Sequence, residues 1–466
     1  MAKKKNNLTL EEKLKNALVP VEEQPYQIPE NWVWTRLGEV VVIYRGVSYK
    51  KNNVHSMKLD NDCLILRGGN IVEGGITIDS SDNVYIDKSL VKKHQFLQKY
   101  DVVIVSSTGS IKVIGRAGVS LDNYSDISFG AFLTLIRSNN YMNKRYISYF
   151  FQSDLYRLRI QSLANGININ NIKNDYIKDV ICPLPPIHEQ QRIVERIESL
   201  FSKLDDAKEK IQMSLDSFEN RKSAILYKAF SGELTQKWRE ENGIKFKDWD
   251  KIELRERCHI NPKKISTKEL NDNMDITFIP MASVSDILGE VSEPLVKKLG
   301  KYKKGYTNFS EGDILFAKIT PCMENGKIAV VKELENNIGF GSTEFHIVRC
   351  NNNTYNRFIY HLLRWKKFRE EAKAVMSGAV GQQRVPKSFL EEYKISFPSL
   401  EEQKEIVHIL DTIFDKEQDI QELIDLIENI DLMKKSILAR AFRGELGTNI
   451  PEEESAIELL KSVLEV

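Results

Sequence analysis

The stretch PLPPIHEQQRIVERI, residues 183–197, has a close copy in FPSLEEQKEIVHIL, residues 397–410, which aligns with it at an offset of 213 positions. Each copy contains proline, then a Glu-Gln pair, then apolar residues at helical spacing. Because proline is excluded from helix interiors, each copy predicts the start of a helix just after it. A sequence motif that recurs after 213 positions indicates that a whole domain and its connector have been duplicated.

The duplication extends to both sides of these copies. The order that it predicts is block, helix, block, helix, with a tryptophan (Trp32 and Trp249) opening each block. The offset falls from 213 to 212 downstream, which indicates one residue gained or lost within a helix. The further matches are DVVIVSSTGS (101–110) with DILFAKITPC (313–322), SFGAFLTLIR (128–137) with GFGSTEFHIVR (339–349), Ala229-Phe230 with Ala441-Phe442, and Gly232-Glu233-Leu234 with Gly444-Glu445-Leu446.

The connectors have the pattern of long amphipathic helices. Apolar residues step by four and three from Ile193 to Ile225, which is typical of a coiled-coil seam over about five heptads. Gly232 predicts the helix end. In the second connector the seam runs from Ile406 to Ile427 and then shifts to Ile430, as a local adjustment of register would do.

A helix of this length must bury its apolar stripe. It can do so by homodimerisation or by packing the two connectors against each other within one chain, and two seams of similar length favour the second. Antiparallel packing would place the two blocks at opposite ends of the pair, related by a pseudo-twofold axis, as in dimers that meet two DNA half-sites. We therefore predict an α+β fold in which two mixed α/β blocks are separated by two long antiparallel coiled-coil helices.

Within the blocks, short β-branched or apolar runs bounded by Gly and Asn predict strands. The predicted strands lie at 40–44, 63–68, 101–106, 132–137, 276–281, 313–318 and 327–331, and one helix is predicted near each block's end, at 143–160 and 355–372.

Polar segments between these strands have residue types suited to DNA, since Lys and Arg bind phosphates while Arg, Asn and Gln pair with base edges. YRGVSYKKNN (44–53) interleaves cations with tyrosines, and the amide-rich NGININNIKN (165–174) and GQQRV (381–385) occupy matching places. Taken alone, a Lys-rich segment is usually solvated surface and an Asn-rich segment is usually a turn, but recurrence at equivalent positions in both halves improves the case for DNA contact. The candidate DNA-binding residues are Arg45, Lys50, Lys51, Arg67, Asn70, Ser106, Ser107, Lys112, Arg116, Asn168, Asn170, Lys318, Thr320, Lys327, Gln382, Gln383 and Arg384.

Composition and missing motifs narrow the function classes. With 41% hydrophobic and 29% charged residues and a net charge of +1, the sequence predicts a soluble globular protein whose basic surface is local. It shows neither a membrane-length apolar run nor a signal peptide, which predicts a cytoplasmic protein without membrane contact. Five scattered cysteines without CxxC argue against disulfides and zinc, and GxxxxGK[ST], HExxH and GxSxG are missing. We predict a chain with no catalytic site, metal or cofactor of its own.

The repeated segments also resemble a known family. PLPPIHEQQRIVERIESLFSKLD, KSAILYKAFSGELTQKWRE, SLEEQKEIV and SILARAFRGEL closely resemble the conserved regions of type I restriction–modification specificity subunits. FGSTEFHIVR followed by GQQRVPKSFLEEYKI resembles the end of that family's target-recognition domains, and RGVSYKK and GININNIK resemble a recurrent subtype of the first such domain.

The resemblance implies that each block is a target-recognition domain that reads one half of a bipartite, asymmetric site in double-stranded DNA. It implies that the helices fix the spacer and dock two methyltransferase subunits, which use S-adenosylmethionine to methylate adenine. Two restriction and motor subunits, which use ATP and Mg²⁺, complete the restriction form, so all these cofactors belong to partners. The implied boundaries are an N-terminal tail (1–27), the first domain (28–185), a central conserved helix and linker (186–245), the second domain (246–398), a C-terminal conserved helix (399–448) and a C-terminal tail (449–466).

One departure separates the two domains: SFGAFLTLIR lacks the Thr-Glu of GFGSTEFHIVR, which indicates two subtypes and two different half-sites. Three alternatives remain open. They are a specificity subunit of a methylation-only system, a coiled-coil scaffold with two protein-binding heads and, as the weakest, a lone nuclease.

Overall fold

The computed structural model describes residues 9–78, 82–110, 112–165, 171–245, 249–267, 269–379, 381–414 and 418–465. The chain divides into two compact units. Unit 1 comprises Met1–Lys208 and Glu428–Val466, and unit 2 comprises Glu209–Ile427. Each unit therefore contains one of the predicted blocks together with parts of both connectors.

The described residues form helices and short strands joined by turns. The helices are α1 (Leu10–Ala17), α2 (Leu37–Val40), α3 (Lys144–Phe150), α4 (Asp154–Asn165), α5 (Asn174–Lys178), α6 (Ile187–Phe230), α7 (Gln236–Glu241), α8 (Asn356–Arg364), α9 (Lys366–Ala374), α10 (Lys387–Glu392), α11 (Leu400–Phe414), α12 (Gln418–Phe442) and α13 (Ala456–Leu464). The strands are β1 (Val33–Arg36), β2 (Val41–Arg45), β3 (Asp62–Leu66), β4 (Ile71–Val72), β5 (Gly75–Ile76), β6 (Val84–Asp87), β7 (Val102–Val105), β8 (Ala117–Val119), β9 (Ile127–Phe129), β10 (Leu133–Ser138), β11 (Ile181–Leu184), β12 (Asp250–Glu253), β13 (Cys258–Ile260), β14 (Asp275–Ile279), β15 (Leu295–Lys298), β16 (Thr307–Ser310), β17 (Ile314–Ala317), β18 (Ile328–Val330), β19 (Ile338–Gly341), β20 (Phe345–Cys350) and β21 (Lys394–Phe397).

Unit 1 is built on an antiparallel sheet of order β2-β10-β7-β8, beside a sheet of order β6-β3-β9 in which β3 and β9 run parallel. Both faces of the first sheet are covered. Val102 and Ile104 of β7 belong to the core that includes the helices, while Val103 and Val105 belong to a second core with β3 and β9. Because successive side chains of a strand point to opposite faces, a strand covered on both faces needs the continuous apolar run seen at 102–105.

Unit 2 repeats this arrangement. Its sheets have the orders β13-β20-β17-β18 and β15-β14-β19-β16, and β14 and β19 run parallel. In β17, Ile314 and Phe316 belong to the core with the helices, whereas Leu315 and Ala317 belong to the second core. The internal duplication and the α+β class predicted from the sequence are confirmed.

A buried ion pair crosses the central strands at the same place in each unit. Arg137 Nε and Nη2 donate to Asp101 at 2.9 and 2.6 Å, and Arg349 donates to Asp313 through the same two nitrogens at 2.7 Å each. The two aspartate side chains are 3% and 2% exposed, so each depends on its arginine for charge compensation. The duplication thus preserves polar interactions inside the fold as well as its apolar pattern.

The Glu-Gln pairs connect each long helix to its block. Glu189 accepts a hydrogen bond from the indole Nε1 of Trp32 at 2.7 Å, and Glu402 accepts one from Trp249 at 2.9 Å. Both carboxylates are fully buried. A buried polar group must find partners inside the protein, so the opening tryptophan and the repeated glutamate are needed together.

The glutamines join the start of each long helix to a helix of the block. Gln190 accepts from the backbone N–H of Asn143 at 2.9 Å and donates to the carbonyl of Pro185 at 2.9 Å. Gln403 makes the same two bonds, with the N–H of Tyr355 at 2.8 Å and the carbonyl of Pro398 at 3.0 Å. The repeated phrase therefore encodes the attachment of the helix, which explains its presence in both halves.

The connectors pack antiparallel in each unit. In unit 1, Lys208 pairs with Asp431 at 2.9 Å, while Lys434 pairs with Asp205. The residue numbers rise along one helix as they fall along the other, so the two helices run antiparallel. In unit 2, Leu215 and Ile424 line one cleft, and the Lys222 ammonium lies 5.1 Å from the centre of the Phe414 ring. The apolar stripe of each connector is therefore covered by the other connector of the same chain. This is the intramolecular pairing that the sequence favoured over homodimerisation.

The first connector, α6, is one helix of 44 residues that begins directly after Pro186 and ends before Gly232, as predicted. Gly232 has a φ of +80°, a left-handed conformation that glycine adopts without strain. The second connector consists of α11 and α12, and residues 415–417 between them lie outside the described part of the chain.

The single helices predicted at 143–160 and 355–372 are wrong, because each is two helices: α3 with α4, and α8 with α9. In unit 2 the break falls at Trp365, which has extended angles (φ −60°, ψ 129°) and is both the C-terminal cap of α8 and the N-terminal cap of α9. Its buried ring stacks on Phe230 with centroids 5.4 Å apart. A tertiary contact therefore interrupts a pattern that is locally helical.

The N-terminal helix α1 is fixed inside unit 1. A capping box between Thr9 and Glu12 begins it, and the Lys13 ammonium donates to the carbonyl of Leu464 in α13 at 2.7 Å. The N-terminal and C-terminal segments of the chain thus pack together. Within the described residues, no helix combines the length and apolar character that crossing a membrane requires.

Candidate nucleic-acid interface

Four loops meet where the central strands of unit 1 end. The backbone N–H groups of Ser106 and Ser107 donate to the carbonyl of Phe132, both at 3.1 Å. Gly130 N–H donates to the carbonyl of Leu66 at 2.9 Å. Ile172 N–H, in the amide-rich segment, donates to the Ser106 carbonyl at 2.7 Å. The segments after β3 and β7, the turn before β10 and the amide-rich segment therefore form one site.

Unit 2 assembles the same four segments by the same bonds. Lys318 N–H donates to the Glu344 carbonyl at 2.9 Å, and Ser342 N–H donates to the Ile279 carbonyl at 3.3 Å. Val385 N–H, at the end of GQQRV, donates to the Lys318 carbonyl at 2.9 Å. The polar segments that recur in the sequence are thus neighbours in space in both units.

In unit 1 these segments surround an open cleft of about 930 Å³. Among the described residues, the charged ones that line the cleft are all cations, namely Lys51, Arg67 and Arg116, although the whole chain is almost neutral. Tyr49 and Phe132 add aromatic surface, and Phe132 is 71% exposed. Local positive charge beside an exposed aromatic ring is suited to a polyanion whose bases have flat apolar faces.

The candidate residues of unit 1 occupy three kinds of position. Lys51, Arg67, Ser107 and Arg116 line the cleft, while Arg45, Lys50 and Lys112 are exposed without lining it. Ser106 and Asn70 are buried. Asn168 and Asn170 lie outside the described residues.

The two buried candidates have partners inside the unit. The Ser106 hydroxyl donates to the Phe132 carbonyl at 3.0 Å. The Asn70 side chain donates to the Thr77 carbonyl at 3.0 Å and accepts from the Arg67 N–H at 2.8 Å. These bonds give both side chains a part in shaping the loops of the cleft, and their contact with DNA stays a prediction.

In unit 2 the lysine candidates donate to carbonyl groups. Lys318 Nζ lies 2.7 Å from the Thr343 oxygen, and Lys327 Nζ lies 2.7 Å from the Val284 oxygen. Thr320 is half-buried, and its N–H donates to the Gln383 carbonyl at 3.0 Å.

The remaining candidates of unit 2 lie on the GQQRV segment. Gln382 and Gln383 are exposed. Arg384 forms a two-pronged ion pair with Glu344, at 2.8 and 2.9 Å. The hydrogen bonds from Arg384 hold the pKa of the Glu344 carboxyl below its ordinary value, so this pair is charged at neutral pH.

His346 is buried beside this site. Its Nε2 lies 2.9 Å from the Val385 carbonyl and its Nδ1 lies 2.9 Å from the Asn261 amide nitrogen. Burial lowers its pKa, which favours the neutral ring that donates to one partner and accepts from the other. Both ring nitrogens are therefore bonded inside unit 2, which gives His346 a structural role beside the site.

Two residues at the site were missed by the sequence reasoning: Phe132 and Glu344. Phe132 is part of the apolar run FLTLIR and looks like a core residue. The alignment of the two halves carried the signal, because it places Phe132 opposite the charged Glu344. A position that accepts a charge in one copy is exposed in the common fold.

No group of three or more His, Cys, Asp or Glu side chains suited to a metal ion occurs in the described ranges of the chain. The described loops of the two sites carry cations, amides, hydroxyls and aromatic rings, which are side chains suited to binding a ligand.

Comparisons with known proteins agree with this geometry. The family model for the type I restriction modification DNA specificity domain matches residues 29–215 and 246–429. The chain is 27% identical to the EcoKI specificity subunit of Escherichia coli K12, over 94% of this chain and 96% of that one. It is 26% identical to the StySPI specificity subunit of Salmonella potsdam, over 90% of each. A chain in a solved structure of complex assembly and conformational transition of the type I R-M system has the same fold, with a TM-score of 0.63, 18% identity and coverage of 90% of this chain and all of that one.

Proposed function

We propose, because the chain belongs to the family of type I restriction–modification specificity subunits, that each unit carries a target-recognition domain for one half of a bipartite, asymmetric DNA site. The observation that carries this proposal is the same four-segment site built twice with different side chains. One fold used twice with different side chains suits a DNA target whose two halves differ in sequence.

The electrostatics support duplex DNA as the ligand. Phosphate contacts supply most of the affinity of such proteins, and the described part of the cleft in unit 1 is lined by three cations and by no carboxylate. The net charge of +1 means that the rest of the surface adds no long-range attraction. The isolated chain should therefore bind DNA weakly and with strong salt dependence, and partner subunits should complete the grip.

The paired helices have two roles in this proposal. They fix the number of unread base pairs between the half-sites, and they dock two methyltransferase subunits that methylate adenine. Two restriction and motor subunits complete the form that cleaves unmodified DNA. S-adenosylmethionine, ATP and Mg²⁺ act in those partners, this chain is not itself an enzyme, and the complex works in the cytoplasm.

An exchange of one domain tests the proposal. Residues 246–398 are replaced by the equivalent block of another specificity subunit, and the chimera is expressed with the methyltransferase subunit in a host without other adenine methylation. Sequencing that detects methyladenine should show that one half-site changes. The other half-site and the length of the spacer should remain. An unchanged methylated sequence would contradict DNA reading by this block and would favour protein-binding heads. Challenge of the same host with unmodified phage DNA separates a restricting complex from a methylation-only one.

A further inference from the structure

The turn that precedes β10 in unit 1 (residues 130–133) and β20 in unit 2 (residues 342–345) presents a different side chain at one fixed place. We infer that the residue at this place determines the base preference at one position of each half-site, Phe132 by its own contact and Glu344 through the Arg384 side chain that it orients. This inference rests on the proposed reading of DNA by both units.

The backbone of the turn is held firmly in unit 1. The Phe132 carbonyl accepts from two N–H groups at 3.1 Å and from the Ser106 hydroxyl at 3.0 Å. Leu133 N–H closes the turn onto the Gly130 carbonyl at 2.9 Å. With its backbone bonded on both sides, the residue cannot turn its side chain inward without breaking several hydrogen bonds.

Unit 2 holds the equivalent turn by matching bonds. The Glu344 carbonyl accepts from Lys318 N–H at 2.9 Å, and Phe345 N–H bonds to the Ser342 carbonyl at 3.3 Å. The residue after each turn is buried in both units, Leu133 at 1% and Phe345 at 2% exposure. The two turns therefore present residues 132 and 344 in the same way, and only the side chains differ.

In unit 1 the turn directs a large apolar ring into water. Burying a phenylalanine side chain stabilises a protein, and at 71% exposure Phe132 forgoes most of that gain. The ring borders the cleft lined by Lys51, Arg67 and Arg116. Cations that bind phosphates beside a projecting apolar ring fit the major groove, where the thymine methyl group is the apolar feature that a side chain can recognise.

In unit 2 the same place carries the ion pair of Glu344 and Arg384. The Glu344 carboxylate holds Arg384 at 2.8 and 2.9 Å, and a third bond runs from Arg384 Nη1 to the Gln382 carbonyl at 2.9 Å. The Arg384 side chain is nevertheless 42% exposed. A guanidinium has about five N–H donors, so these three bonds orient it and leave donors for a base. Guanine, through O6 and N7, is the base that an oriented arginine prefers.

The test compares methylomes of single-residue variants in the full complex. Phe132→Ala, Phe132→Leu and Arg384→Ala chains are each expressed with the methyltransferase subunit in a host lacking other adenine methylation. Phe132→Ala should relax one T·A position of one half-site by about tenfold or more, with the other half-site unchanged. Phe132→Leu should keep part of the preference, and Arg384→Ala should relax one G·C position of the other half-site.

Leu121→Ala is the matched control, because Leu121 is an exposed apolar residue of unit 1 (64%) that does not line the cleft. It should leave both half-sites unchanged. If the Phe132 and Arg384 variants methylate the unaltered sequence with unaltered stringency, the inference is wrong while the proposed function stands. If the complex that contains the chain without substitutions methylates no bipartite site, the proposed function itself is wrong. Should Phe132→Ala abolish methylation, competition binding by the Phe132→Leu complex with duplexes altered at single base pairs decides the matter: equal competition by all of them refutes the inference.

Discussion

Two equivalent buried glutamates should respond very differently to the same substitution. Glu402 and Glu189 occupy the same place in the two repeats, and each accepts from a tryptophan indole. Glu402 also accepts from the Thr235 hydroxyl at 2.6 Å and from the buried Arg239 guanidinium at 2.5 Å. The further partners of Glu189 are neutral: Asn449 Nδ2 at 2.8 Å and the Thr448 hydroxyl at 3.2 Å. We predict that Glu→Gln destabilises unit 2 strongly and unit 1 slightly.

The magnitude follows from the partners of each oxygen. In Glu402→Gln one orientation places the amide NH₂ against the indole N–H, and the other places it against Arg239, so a donor faces a donor in both. Arg239 then loses the carboxylate that it pairs with, and removing one partner of a buried ion pair costs about 3–5 kcal/mol. In Glu189→Gln the oxygen can face Trp32 and Asn449 while the NH₂ donates to the Thr448 hydroxyl. All bonds survive, and we expect a loss of about 1 kcal/mol or less.

Hydrogen exchange read by mass spectrometry separates the two effects, since a protein of two units has no single unfolding free energy. A loss of 3 kcal/mol corresponds to exchange about 10²-fold faster in core peptides of unit 2 that exchange through its unfolding. Core peptides of unit 1 should change by less than about tenfold in Glu189→Gln. Equal acceleration in the two variants, or a change below about tenfold in Glu402→Gln, would refute the reasoning about the buried charge.

Two further outcomes are expected. Burial lowers the pKa of His361, whose Nε2 lies 2.9 Å from Asp411, below its ordinary value of 6.5. The unfolded chain then binds the proton more tightly than the folded chain, so unit 2 should lose stability as pH falls below 6.5. In His361→Gln, a plot of the denaturation midpoint of unit 2 against pH should be flatter below pH 6.5. The same slope in the variant and in the unaltered protein would contradict this prediction. Lys51→Ala and Arg67→Ala should each reduce the slope of log affinity against log salt by about 0.9 in fluorescence anisotropy with the assembled methyltransferase complex, whereas Leu121→Ala should not; unchanged slopes would remove these two cations from the phosphate contacts.

The sequence predicted most of the fold because its signals were local and repeated. The runs 101–106 and 313–318 became β7 and β17 within one or two residues, since strands buried on both faces need continuous apolar runs. The break at Trp365 was not predictable in this way. Its cause is packing on Phe230, a residue far away in the chain whose proximity only the fold creates.

The site was predictable as a set of segments and much less as individual side chains. Recurrence at matching positions identified the loops, and the fold brings them together. Residue type does not show whether a loop amide faces inward: Asn70, predicted to bind DNA, is buried and donates to the Thr77 carbonyl of its own loop. Phe132 was overlooked for the opposite reason, because apolar residues are assigned to the core by default.

Unit 1 is discontinuous along the chain, and this has a consequence for synthesis on the ribosome. Its final segment, Glu428–Val466, is translated only after the whole of unit 2. Asn31 bonds to the Ile450 carbonyl and Tyr26 to the Phe442 carbonyl, so contacts made by the earliest residues wait for the last. A nascent chain stalled near residue 427 would contain the whole sequence of unit 2 but only part of the sequence of unit 1. Premature termination near the C-terminus should therefore damage the half of the protein that was made first.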